Sequence, residues 1–185
     1  VLDADEDTRT LLRLTALKRL PALEMQNPSV NETIALMVEN EVAIDPTLAI
    51  HEALMLGRNG ETRAGTLDHI AHMPPNVQRG YKVALANIAN AEEDQAYSEA
   101  YDKVVETLIA MKEKGIQIIP GTDKGDAFTL HRELELYQQL GYSPAELLKL
   151  GSYDMAKYLG QEDRGIIEVG KLADFFLVPG NPVED

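Results

Sequence analysis

Ile116-Gln117-Ile118-Ile119-Pro120-Gly121-Thr122-Asp123 decides how this chain is read. Its β-branched run is too short for a helix and apolar enough for a buried strand. It follows a long amphipathic pattern in which Tyr97, Tyr101, Val104, Val105, Leu108 and Met111 recur at three and four. Asn90 and Glu93 mark the start of that helix with capping spacing, while Lys112, Lys114 and Gly115 mark its end. A helix feeding a strand is half of a βα repeat.

Working outward, Val42 to Leu48 stands in the same relation to an earlier helix, read as starting at Ser29 with Glu32 at N3 and closing near Asn40. Beyond Asp123, Leu130, Leu134, Tyr137 and Leu140 are spaced as a helix that Gly141 stops, and Ser143-Pro144-Ala145-Glu146 starts the next. Ile166 to Val169 and Phe175 to Val178 read as two short strands. Between Leu48 and Tyr97 there are turn signals but no long periodicity.

Composition excludes several function classes. Hydrophobic residues make up 44% and charged residues 26%, as in ordinary globular domains. With 17 Lys and Arg against 31 Asp and Glu, the net charge of -14 repels phosphate backbones and anionic headgroups, so neither nucleic acid nor membrane is expected as a partner. There is no cysteine, so any metal must be held by His, Asp or Glu. The compartment stays open.

Asp123 ends a predicted parallel strand, where α/β folds place ligand-binding and catalytic groups. The stretch from Ile118 to Pro182 contains Gly121-Thr122-Asp123, Leu130-His131-Arg132-Glu133-Leu134-Glu135-Leu136, Gly141-Tyr142-Ser143-Pro144-Ala145-Glu146 and Gly170-Lys171-Leu172-Ala173-Asp174-Phe175-Phe176-Leu177-Val178. In order and spacing it resembles the C-terminal end of an amidohydrolase-superfamily enzyme, in the subgroup of imidazolonepropionase-like hydrolases and metal-dependent dipeptidases.

That resemblance implies an α/β fold, the C-terminal part of a (β/α)8 TIM-like barrel with a short β-sandwich tail. Residues 1–160 would form a partial barrel, with strands near 42–48 and 116–121, and residues 161–185 would give strands to a small composite β-sandwich. An eight-stranded barrel needs about 250 residues, so the expected partner is a missing N-terminal barrel half, and the portion alone is expected to be inactive. A homo-oligomer is also allowed.

The implied activity is hydrolysis of a carbon-nitrogen bond in a small-molecule amide, cyclic amide or dipeptide by metal-activated water. Asp123 is implied as both catalytic residue and ligand of a divalent metal, zinc being the expected ion, with one or two ions whose other ligands lie outside this segment. His131, eight residues further on, is read either as a substrate contact or as a residue packing the first helical turn. Glu133 and Glu135 read as a solvated helix start, and His51, His69 and His72 as loop or surface histidines. The alternative is a non-catalytic half-barrel that binds a partner.

Overall fold

The computed structural model describes residues 6, 7 and 9–184. Its α-helices are α1 (Leu12–Thr15), α2 (Pro28–Glu39), α3 (Leu48–Met55), α4 (Pro75–Tyr81), α5 (Ala91–Glu113), α6 (Ala127–Leu136), α7 (Pro144–Lys149) and α8 (Met155–Tyr158). Short 3-10 turns lie at Ala16–Ala22, Ala64–Thr66, Ile70–His72 and Tyr137–Leu140, and a π-helical turn at Leu150–Asp154 joins α7 to α8.

The core is laid around α5. Its buried face, Tyr97, Ala100, Tyr101 and Leu108, meets Leu48 and Met55 of α3, Leu136, Tyr137 and Leu140 at the end of α6, and Leu147 and Leu150. This is the face that the heptad-like spacing marks. At its start Asn90 accepts a hydrogen bond from the Glu93 amide at 2.9 Å. Glu93 does not complete the box, because its carboxylate accepts from the Ala89 amide and pairs with Lys18 instead. Ser143 and Glu146 do form a full reciprocal box at α7. α2 starts one cap earlier than Ser29: Asn27 Oδ1 accepts from the Ser29 amide, with Pro28 in the first turn.

The expected barrel is not seen. Among the described residues there is no β-strand, so neither strands 42–48 and 116–121 nor a β-sandwich tail is formed. What remains of the expected pairing is one parallel bridge, Ile44 to Ile118, in which the Ile44 amide donates to the Gln117 carbonyl and the Ile119 amide to the Ile44 carbonyl, both at 2.9 Å.

The sequence contains the reason. On the N-terminal side both segments give their amides to the helices they leave: Val42 N–H donates to Met37 O and Ile116 N–H to Met111 O, each closing a Schellman cap. The left-handed residue of those caps is Gly115 (φ +87°) in one and Glu41 (φ +51°) in the other. On the C-terminal side Pro46 and Pro120 have no N–H to extend a ladder. One rung is all that fits between cap and proline.

The tail departs further from expectation. Residues 173–178 form no regular structure, and Ile167, Phe176 and Leu177 are 92%, 85% and 89% exposed. Short apolar runs signal a surface that can be buried, and in this structure nothing among the described residues covers it. No helix among the described residues is long and apolar enough to cross a membrane.

Candidate active site

The two bridged segments end in tight, polar turns. After Ile44, Asp45 Oδ1 accepts from the Thr47 amide at 3.1 Å, and Thr47 takes a left-handed conformation (φ +44°) before α3 begins. Pro120 is followed by Gly121, whose missing side chain leaves room for the Asp45 carboxylate. Thr122 then braces a turn: its hydroxyl donates to the Lys124 carbonyl at 3.1 Å and accepts from the Lys124 amide at 3.2 Å.

Asp123 is at the tip of that turn, exposed and left-handed (φ +50°). Aspartate is one of the few side chains that tolerate this region. Its carboxylate has no hydrogen-bond or ion-pair partner among the described residues. Asp126, three residues on, caps α6 by accepting from the Thr129 amide and hydroxyl at 2.8 Å. Those bonds, with one from the Tyr81 hydroxyl, hold its carboxyl below the usual range against the opposing effect of burial.

Glu133 is the residue that pattern reading missed. It is fully buried, not solvated, and its two carboxylate oxygens accept from the amides of Leu48 (2.7 Å) and Ala49 (2.6 Å) at the start of α3. An N-cap is usually local; here Thr47 supplies no side-chain cap and a glutamate on α6 takes the role. The Tyr137 hydroxyl, donating to the Ile119 carbonyl at 3.0 Å, ties the same helix to the bridged segment. Burial pushes the Glu133 carboxyl up, against the lowering effect of the two amides and Tyr137. Both its oxygens are taken up in holding α3.

A small pocket of about 30 Å³ adjoins the Asp123 turn, and Glu52, Arg63, Tyr81, Lys124, Thr129 and Arg132 line it. Arg132 forks onto Glu52 at 3.0 and 2.6 Å and reaches Glu135 at 2.9 Å. His131 is turned away from this pocket. It is exposed on α6 and lines a separate groove with Leu134, Gln138 and Leu147. His69 stacks on Phe128 at 4.5 Å, and His51 Nδ1 lies 3.2 Å from the Thr47 carbonyl, so both have structural surroundings.

The divalent ion expected from the sequence needs several convergent donors. Among the described residues no group of three or more His, Asp or Glu is placed to hold one. Asp123 is a single free carboxylate and does not amount to a metal centre.

These residues form a polar turn beside a charged pocket. The model of the amidohydrolase family matches residues 27–185, and the chain belongs to that family. Membership indicates hydrolase activity in general. Neither a curated protein nor a solved structure matches the chain.

Proposed function

We propose that this chain serves the hydrolysis of a carbon-nitrogen bond in an amide, cyclic amide or dipeptide, with Asp123 as its reacting carboxylate. The observation that carries the reading is the exposed, unpaired carboxylate of Asp123 at the tip of a braced turn, within the segment that matches the amidohydrolase family. Such a group can take a proton from the attacking water. The water oxygen then bonds the carbonyl carbon, and the proton passes from Asp123 to the nitrogen as the carbon-nitrogen bond breaks.

Asp123 is also the proposed donor to a divalent ion, zinc being the family's usual choice. Because the described residues do not complete a donor set, the proton steps above are written for Asp123 alone. His131, exposed on its own groove, is proposed as a contact to a more distant part of the substrate.

The test is made on the native protein. Asp123→Asn fits the same left-handed backbone and should leave melting unchanged, while lowering hydrolysis of dipeptides or cyclic amides by about 10²–10⁴-fold. Full activity in Asp123→Asn, together with no bound divalent ion in the parent by elemental analysis, would sink the reading. The exposed apolar residues of 166–178 favour a second reading, a non-catalytic binding subunit, which that same result would promote.

A further inference from the structure

In a chain of net charge -14, the pocket beside Asp123 is cationic: Arg63, Lys124 and Arg132 face it against one lining carboxylate, Glu52. The carboxylates within reach are engaged elsewhere. Glu52 is held by the fork of Arg132, and Asp126 caps α6 and accepts from Tyr81 at 3.1 Å.

Arg63 and Lys124 therefore form no ion pair with any described residue. Arg63 makes one long bond, 3.4 Å to the Val83 carbonyl, and both cations lie 5.9 Å from the centre of the same ring, Tyr81. Two like charges that converge on one half-buried ring, 61 residues apart in the chain, are held there by the fold rather than by sequence proximity. An anion between them would offset the repulsion of the two like charges.

We propose that Arg63 and Lys124 form a subsite for a carboxylate of the substrate, with Tyr81 as its floor. A guanidinium can grip a carboxylate through two parallel N–H bonds, and an ammonium adds a point charge without directional demand. Lys124 directly follows Asp123, so a substrate anchored here has its carboxylate beside the reacting turn. The assignment deepens the hydrolase reading and rests on it for the identity of the ligand as substrate: it selects N-acyl amino acids and dipeptides over neutral amides.

Binding is read without turnover, in the native protein carrying Asp123→Asn. Calorimetric titration compares N-acetylglycylglycine with its C-terminal amide. The acid should bind at least tenfold more tightly, a preference that weakens with added salt and falls to about one in Arg63→Gln and in Lys124→Gln. Lys124→Gln guards against a folding loss in Arg63→Gln, since Lys124 makes no side-chain hydrogen bond among the described residues. A ratio near one in the Asp123→Asn parent, undetectable binding of both peptides, or a tenfold ratio that survives both substitutions overturns the subsite. A carboxylate preference in a protein that hydrolyses nothing would keep the subsite and remove the hydrolase reading; hydrolysis without the preference would do the reverse.

Discussion

Gly121 lies so close to the Asp45 carboxylate that a β-carbon could not be built between them. The contact joins the ends of the two bridged segments, and so fixes the base of the turn that presents Asp123. Gly121→Ala is therefore expected to destabilise the protein by about 1–3 kcal/mol through overpacking. Asp45→Ala should recover most of that loss in the double variant, and denaturant midpoints at constant m-value would show it. Simple addition of the two effects would mean that the contact is not what constrains the turn.

Glu133→Gln keeps the side chain's shape but removes an acceptor, leaving one of the Leu48 and Ala49 amides facing an NH₂ group. A loss of about 1–3 kcal/mol is expected, the cost of leaving a buried amide unsatisfied. The same residue sets a pH dependence. Its folded pKa is raised above the ordinary 4.5, so the folded state holds the proton more tightly than the unfolded chain does. Glu133 thus favours folding below that value, and its contribution is lost as pH rises through the folded pKa. Stability curves of wild type and Glu133→Gln should converge with rising pH across this window; parallel curves would contradict the buried-carboxyl assignment.

Arg132 bridges α3 and α6 through Glu52, with both side chains largely shielded, and its methylenes pack over Gly65. Arg132→Lys loses the planar fork and is expected to cost about 1–2 kcal/mol, whereas Arg132→Gln leaves Glu52 uncompensated and should cost more. A double-mutant cycle with Glu52→Gln measures the coupling; a value near zero would show that the pair is only a surface contact.

Glu41 occupies the left-handed position of its Schellman cap, where Gly115 serves the other helix. Glu41→Gly should stabilise the protein by about 1 kcal/mol, because the steric cost of a β-carbon is removed at a position already fixed by the cap. Thermal melting decides it, and a destabilised variant would mean that the Glu41 side chain matters more than its backbone.

Much of the helical frame is legible in the sequence because its signals are local. The face of α5, its Asn90 cap, the Gly115 and Gly141 stops and the Ser143-Glu146 box each lie within a few residues of the structure they cause. The strands fail for an equally local reason that a count of apolar residues does not register: caps and prolines consume the amides that a ladder would need. Residues 166–178 mislead because a short apolar run reports what could be buried, not what is. Within the site, Asp123 is proposed from its place after an apolar run. Glu133 is invisible, since a glutamate among charged neighbours in a helix reads as solvated and its partners stand 85 residues away. Arg63 and Tyr81 sit in the stretch without periodicity, and only the folded chain brings them to Lys124.

The Glu133 cap also orders events in time. α3 has eight residues, too short to persist alone, and its first amides are satisfied by a side chain that is synthesised and folded 85 residues later. Closing so long a loop must precede the reward of that contact. α3 should therefore be among the last helices to gain hydrogen-exchange protection during refolding, after α5, which carries its own cap. The platform on which Asp123, Arg63 and Lys124 are displayed would then be set only when the chain is otherwise complete.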